Sequence, residues 1–279
     1  MFTEKIDLYK YFGVERMGGG GYLNVYVPSL ITEIKPKIRP AMLIIAGGAY
    51  TGISQRETEV VAIKYMANGF TSFTLDYSVN IPYPTPLIEA CMAVAYIRQN
   101  AKKFNIDAEH VAATGFSAGG HLAAMLSNLY YEKEIVCFLG DKVELARINA
   151  AVLSYPVITM GRYAHATTRD IITGGSEQLA ELLSMEKRVT VNTPPTFIWH
   201  TVNDDCVPTE NSMLYAEACR KAGVPFALHI FERGKHGLRL CNEETDKTDE
   251  DMQFYDVGKW FGLALDWLKF HGFCVRTVS

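Results

Sequence analysis

Short apolar runs recur along the chain, separated by segments whose apolar positions have a helical spacing. The run at residues 41–46 contains no polar position, as expected of a strand that is buried on both faces of a parallel sheet. Residues 22–27 show an alternating pattern that favours an early strand. Further apolar runs predict strands over residues 70–77, 111–113, 150–154, 196–200 and 226–231.

The segments between these runs predict helices. Residues 57–68 have helical spacing and end at an Asn-Gly stop signal, and a long helix is predicted to run to about Phe104. Further helices are predicted directly after Ser117 and over residues 177–183, 209–222 and 254–270. Four glycines at residues 18–21 indicate a flexible turn, and residues 36–40 a connector. Because strands alternate with helices, we predict an α/β protein with a mostly parallel central sheet and helices on both faces.

Residues 115–119 spell Gly-Phe-Ser-Ala-Gly, the G-x-S-x-G pattern, between a predicted strand and a predicted helix. In this setting the pattern is typical of a nucleophile elbow, a tight turn that lifts a serine off a strand end onto a helix N-terminus. The turn is crowded, so its glycines avoid collisions that a Cβ atom would cause. We therefore predict that Ser117 is a catalytic nucleophile.

A serine needs a base at neutral pH, and the base needs an acid that fixes its tautomer. The loop after residues 196–200 contains Asp204 and Asp205, and the loop after residues 226–231 contains His236. Both loops follow strand ends, where ligands gather in open α/β sheets, and the order Ser, Asp, His is that of α/β-hydrolases. We predict His236 as the base. The spacing D-x-x-V-P favours Asp204 as the acid, which leaves Asp205 as a solvated or turn-capping residue.

An acyl-transfer site also needs donors for an oxyanion. The amide of Ala118 follows the serine, and a second donor is expected from residues 46–49, Ala-Gly-Gly-Ala, which occupy the place of an H-G-G-G-like motif without its histidine or its last glycine. We predict Ala49 as this donor, with Gly48 as the alternative. Tyr50, next in the chain, is a candidate substrate contact.

The segment at about residues 156–193 is predicted to be a cap-like excursion over the site. It carries Arg162 and His165, which are candidate substrate contacts, and its hydroxyls, guanidiniums and imidazole suit a polar alcohol better than a long acyl chain. His121 is interpreted as a packed helix residue and His200 as a structural residue at a strand end. The remaining histidines are expected on strands or at the surface: His110, His229 and His271.

Composition narrows the class of protein. The formal charge of −4 and the pI near 6.0 argue against nucleic acid or an anionic membrane as the main partner. No apolar run approaches the roughly 20 residues of a membrane span, and the charged first ten residues do not resemble a secretory signal. Six scattered cysteines without a C-x-x-C pair indicate reduced thiols. We predict a cytoplasmic protein with one domain over residues 1–279, no metal and no cofactor. Residues 242–251 are expected to form a solvated acidic loop.

Several stretches together resemble the acetyl-xylan esterase and sugar hydrolase group of lipase/esterase-like α/β-hydrolases. They are residues 23–26, 47–48, 76–77, 115–121, 154–157, 194–197, 204–208 and 234–238, with a narrower likeness over residues 156–189. The resemblance implies an α/β-hydrolase fold and hydrolysis of small acyl esters, including acetyl groups on sugars. It also implies an acyl-enzyme formed without metal or cofactor.

We therefore predict a serine carboxylesterase that acts on a small-molecule ester. Two alternatives stay open: a serine peptidase of the same fold, for which no added gating domain is evident, and a non-catalytic hydrolase-fold binding protein, against which the complete Ser117, Asp204 and His236 set argues. The sequence leaves the natural alcohol and the oligomeric state open, a homo-oligomer included.

Overall fold

The strands of the computed structural model form one sheet in the order β1-β2-β4-β3-β5-β6-β7-β8, with β9 paired to β3. The structure describes residues 1–246 and 251–277. Residues 247–250 of the predicted acidic loop therefore lie outside the described residues. The strands are β1 (Phe2–Asp7), β2 (Tyr22–Val27), β3 (Lys37–Ile45), β4 (Thr71–Asp76), β5 (Ile106–Phe116), β6 (Ala150–Ser154), β7 (Thr196–Thr201), β8 (Phe226–Phe231) and β9 (Arg276–Thr277).

Strands β3 to β8 run parallel to one another, whereas β1, β2 and the short β9 are antiparallel to the strands that they pair with. Helices cover both faces, so the predicted α/β architecture is confirmed. They are α1 (Leu8–Phe12), α2 (Glu59–Ala67), α3 (Thr85–Gln99), α4 (Ala101–Phe104), α5 (Ala118–Leu129), α6 (Lys133–Leu139), α7 (Ala166–Thr173), α8 (Glu177–Leu182), α9 (Glu210–Ala222) and α10 (Trp260–Phe270). Short 3-10 turns precede α2 at Gln55–Glu57 and α10 at Val257–Lys259.

The sheet separates two apolar layers, and β3 contributes to both of them. Leu43 and Ile45 pack in one layer, and Met42 and Ile44 pack in the other. Successive side chains of a strand point to opposite faces. A strand covered on both sides must therefore be apolar at every position, which explains the uninterrupted run in the sequence.

Two predicted boundaries in this part of the sheet were wrong. Residues 36–40 are not only a connector, because β3 begins at Lys37, and β5 is much longer than the predicted 111–113. The ladder between β3 and β5 shifts register between Arg39 and Ala41. Pro40 lies at this irregularity, where its missing N–H interrupts no regular pairing.

The excursion between β6 and β7 contains α7 and α8. The predicted helix over residues 177–183 is confirmed as α8, whereas α7 was not predicted. Several hydrogen bonds join this segment to the body. Among them, Tyr83 N–H donates to the carbonyl of Ile172 at 2.9 Å, and Nε2 of His121 lies 2.8 Å from the carbonyl of Leu183. Across residues 1–246 and 251–277, no helix combines the length and the apolar character needed to cross a bilayer.

Candidate active site

Ser117 stands between β5 and α5 in a strained turn. Its φ of 53° and ψ of −120° lie outside the regions that non-glycine residues normally occupy. The turn is held against the sheet, because Ser117 N–H donates to the carbonyl of Ser154 at 3.0 Å. A Cβ atom on Gly119 would lie 2.2 Å from the carbonyl oxygen of Ile45, so α5 approaches β3 this closely only with glycine at that position. The serine side chain is thereby presented at the carboxyl end of the sheet.

Two of the residues predicted as a triad, Ser117 and Asp204, each lie within hydrogen-bond distance of the third, His236. Nε2 of His236 is 2.8 Å from Oγ of Ser117, and Nδ1 of His236 is 2.8 Å from Oδ2 of Asp204. Because a carboxylate only accepts, Nδ1 carries the proton and Nε2 is left to accept from the serine hydroxyl. The imidazole is 18% exposed and the Asp204 side chain is fully buried. This arrangement has the geometry that proton transfer from a serine requires.

The neighbouring aspartates have different surroundings. Oδ1 of Asp204 accepts from the N–H groups of Cys206 (2.9 Å) and Val207 (2.8 Å). Burial alone would raise the pKa of Asp204, but hydrogen bonds from His200 and His236 outweigh burial and hold it well below its usual value. The exposed Asp205 accepts the backbone N–H of His236 at 3.1 Å. The structure thus brings Asp204, and not Asp205, to the imidazole.

The segment predicted to supply an oxyanion donor is tightly wound. Gly48, Ala49 and Tyr50 all have positive φ values, of 132°, 55° and 59°. The Gly47 N–H is already used, because it donates to Oε2 of Glu57 at 2.7 Å. The N–H groups of Gly48, Ala49 and Ala118 donate to no acceptor within the described part of the chain. Both predicted alternatives for the second donor therefore stay available.

Glu57 is a site residue that the sequence reasoning missed. Its side chain is buried, and besides Gly47 it accepts the hydroxyl of Tyr155 at 2.9 Å. The same hydroxyl oxygen accepts Arg239 N–H at 3.2 Å, and the Tyr155 ring packs edge-on to His236 with centroids 5.0 Å apart. Glu57 therefore connects the 46–49 segment with the loop of the base. No local signal indicates this, because a glutamate at the start of a helical pattern normally faces solvent.

Tyr50 is not a substrate contact, which corrects the prediction from the sequence. Its side chain is fully buried, and its hydroxyl lies 3.0 Å from Nδ1 of His121. Nε2 of His121 must donate to the carbonyl of Leu183, so Nδ1 accepts from Tyr50. Burial lowers the pKa of His121 to about 4, which keeps the ring neutral. Tyr50 thus fixes the 46–49 segment to α5 from within the core.

The two remaining candidate contacts lie at the start of the excursion. Arg162 is exposed, with its guanidinium 5.3 Å from the ring centroid of Tyr163. His165 is half-buried and caps α7, because its Nδ1 accepts Thr168 N–H at 3.3 Å, which leaves the Nε2 proton as a donor. Burial lowers the pKa of His165, the charge of His236 lowers it further and that of Asp204 opposes both effects. His165 therefore interacts electrostatically with both His236 and Asp204.

Comparison with known proteins places this geometry in a family. The family model described as BD-FAE matches residues 23–219. Endo-1,4-beta-xylanase B of Butyrivibrio fibrisolvens is 39% identical over 217 residues, which are 74% of this chain and 33% of that protein. The acetylxylan esterase of Xylanibacter ruminicola is 28% identical over 232 residues, which are 79% of this chain and 45% of that protein. The chain therefore spans less than half the length of either relative.

A solved structure extends the likeness to the whole fold. The acetyl ester-xyloside bifunctional hydrolase from Caldicellulosiruptor lactoaceticus superposes with a TM-score of 0.77 at 35% identity, covering 90% of this chain and 88% of that one. Together with the family match over most of the chain, this likeness shows that the chain belongs to the BD-FAE family and is an α/β-hydrolase.

Proposed function

We propose that this protein is a serine carboxylesterase in which Ser117, His236 and Asp204 act as a catalytic triad. The observation that carries the proposal is the continuous set of 2.8 Å contacts from the serine Oγ through the imidazole to the buried carboxylate. Ser117 attacks the ester carbonyl while His236 accepts its proton at Nε2. Asp204 holds the imidazole in the required tautomer and stabilises its charged form.

The reaction then proceeds through an acyl-enzyme. His236 returns the proton to the leaving alcohol, which departs as the acyl group becomes bonded to Ser117. A water molecule, deprotonated by the same imidazole, releases the acid and restores the serine. The negative oxygen of each tetrahedral intermediate binds the N–H of Ala118 and that of Ala49, with Gly48 as the alternative second donor.

The substrate that we propose is a small acyl ester, with acetylated sugars as the favoured class. Two lines support it: one relative is an acetylxylan esterase, and a similar solved protein is an acetyl ester-xyloside hydrolase. The residues at the start of the excursion, Arg162, Tyr163 and His165, offer hydrogen-bonding groups for a polar alcohol. We propose residues 156–193 as the wall that contacts this alcohol. The cytoplasmic location, the absence of a cofactor and the single-domain organisation stay predictions.

Covalent labelling tests the reaction class. A fluorophosphonate probe is expected to add its mass to the wild-type protein and to label Ser117→Ala not at all. Acetate release from acetylated xylo-oligosaccharides should accompany labelling, and a peptide panel should be left intact. Peptide cleavage without ester hydrolysis would favour the peptidase alternative, and an unlabelled wild-type protein would favour a non-catalytic binding protein.

Acyl length tests the substrate class. For acetyl, butyryl and octanoyl esters of one aryl alcohol, we expect kcat/KM to fall along the series. An apolar channel would reverse this order, because each buried methylene is worth about 0.8 kcal/mol, or roughly a fourfold gain. A rise toward octanoyl would replace the acetylesterase proposal by a lipase, while leaving the triad proposal intact.

A further inference from the structure

The buried acid of the proposed triad is shared by two imidazoles. His200, the next-to-last residue of β7, is fully buried, and its Nε2 lies 3.2 Å from the same Oδ2 of Asp204 that lies 2.8 Å from His236. The sequence reasoning treated His200 as structural only, because nothing in a strand-end histidine reveals what its ring faces.

The hydrogen bonds of His200 determine where its proton lies. Nε2 has two acceptors, the carbonyl of Val207 at 3.0 Å and Oδ2 of Asp204 at 3.2 Å, so Nε2 must carry the proton. Nδ1 then accepts, and its partner is the hydroxyl of Ser212 at 2.8 Å. Ser212 belongs to α9, on the body of the protein. The His200 ring, whose N–H lies beside Asp204, is therefore held in place by a hydrogen bond from α9.

We propose that His200 is a positioning residue that fixes and polarises the acid of the catalytic triad. This inference rests on the proposed function. With Cys206 and Val207 on Oδ1, the two imidazoles complete the donors around Asp204, so the carboxylate has a single orientation. The N–H dipole of His200 also offsets part of the negative charge that the base experiences. Both effects act on Asp204, and His200 itself touches neither substrate nor nucleophile.

The second effect predicts a measurable change in pH dependence. Within residues 1–246 and 251–277, the groups that face His236 are Asp204 and Ser117 at the ring nitrogens, Asp205 at the backbone N–H, the Tyr155 ring, and His165, whose charge interacts with it. Removing the His200 N–H leaves the other groups in place and strengthens the field of Asp204 at the base. The base then holds its proton to higher pH, so the acidic limb of kcat/KM moves upward.

The experiment compares His200→Leu with His200→Gln, whose amide N–H can replace the Nε2 donor. For His200→Leu we expect kcat on an acetyl aryl ester to fall on the order of tenfold, with KM within about twofold and the acidic midpoint raised by about half a pH unit. His200→Gln should keep kcat and the acidic midpoint close to their wild-type values. A loss of kcat with an unmoved midpoint, and no recovery in His200→Gln, would mean that the residue only fills space and would overturn the inference.

Ser212→Ala keeps the inference testable if His200→Leu does not fold. It removes only the hydroxyl that holds the His200 ring at Nδ1, so the midpoint should move in the same direction by a smaller amount. An unchanged profile in a folded Ser212→Ala protein would overturn the inference. Fluorophosphonate labelling of the wild-type protein distinguishes a failure of the proposed function from a failure of the inference about His200. If the wild-type protein is not labelled, the proposed function fails and the inference fails with it. If the wild-type protein is labelled but the variants keep its acidic midpoint, the inference alone is overturned.

Discussion

Two fully buried carboxylates, in the loop after β7 and in α3, illustrate opposite uses of a buried charge. Asp204 accepts hydrogen bonds from two imidazoles and two backbone amides, and its pKa is held below its usual value. Glu89 in α3 accepts Ser78 N–H at 2.5 Å, the Ser78 hydroxyl at 2.6 Å and the Tyr9 hydroxyl at 2.8 Å. Burial raises the pKa of Glu89, and these neutral donors only partly offset it.

The two carboxylates differ in the chemical groups that donate hydrogen bonds to them. One donor of Asp204 is the imidazole of His236. In the proposed reaction this imidazole takes up a proton from Ser117, so a fixed negative charge beside it would stabilise the transition state. The donors of Glu89 keep their protons. Ser78 also accepts Gly20 N–H at 2.9 Å, so Glu89 anchors the glycine segment before β2 to the body. Burial alone therefore does not distinguish the carboxylate of the proposed triad, whereas its contact with the imidazole of the proposed base does.

The largest expected effect is the loss of kcat when Ser117 or His236 of the proposed triad is removed. Ser117→Ala or His236→Ala should each lower kcat by roughly 10⁴ or more, because the triad acts as a unit and the oxyanion donors alone supply the remainder. The measurement is kcat on an acetyl aryl ester, with circular dichroism to show that the variants are folded. A folded His236→Ala protein with more than a tenth of wild-type kcat would refute its assignment as the base.

A smaller effect is expected at the acid, where the chain offers a matched control. Asp204→Asn should lower kcat by roughly 10³ or more, because the amide no longer selects the imidazole tautomer. Asp205→Asn should cost less than about tenfold, because an amide oxygen still accepts the His236 N–H. Comparing kcat of the two variants decides the assignment. Greater damage from Asp205→Asn would contradict it.

The loops that carry the proposed triad were predictable from the sequence because their patterns are local. Ser117 sits in a five-residue motif, and Asp204 and His236 directly follow apolar strands that end at one edge of a parallel sheet. Parallel order then brings the three loops together without further information. The choice of Asp204 over Asp205 rested on spacing alone, and the geometry agrees with it.

Other features depend on partners far along the chain and were not predictable. Glu89 occurs within an apolar helical pattern, yet its donor Tyr9 lies 80 residues away. Tyr50 follows the 46–49 segment in sequence, but the turn directs its side chain into the core. Strand β1 was missed because it is an edge strand whose residues are exposed or only partly buried, without the alternation that marks a half-buried strand. Local patterns indicate elements and motifs, whereas burial of a polar side chain is decided by tertiary contacts.

The smallest expected effect is on the free energy of unfolding, to which Asp204 and Glu89 should contribute with different pH dependences. Asp204 has a folded-state pKa below the ordinary 3.8, so its contribution is complete above that pH and is lost as the pH falls further. Glu89 has a folded-state pKa above the ordinary 4.5, so the folded state loses stability as the pH rises through that raised pKa. With rising pH, Asp204 therefore increases the free energy of unfolding, whereas Glu89 decreases it.

Glu89→Gln isolates the second slope, because the amide fills the same space and does not titrate. One of the three donors loses its acceptor, so we expect the variant to be less stable by about 1–3 kcal/mol near pH 5, with kcat changed less than about twofold. As the pH rises through the raised pKa of Glu89, its ionisation destabilises only the wild type, and the gap should narrow. Urea unfolding at several pH values measures it. A gap that widens with pH would mean that the donors stabilise the ionised form, and that the two buried carboxylates differ less than their pKa directions indicate.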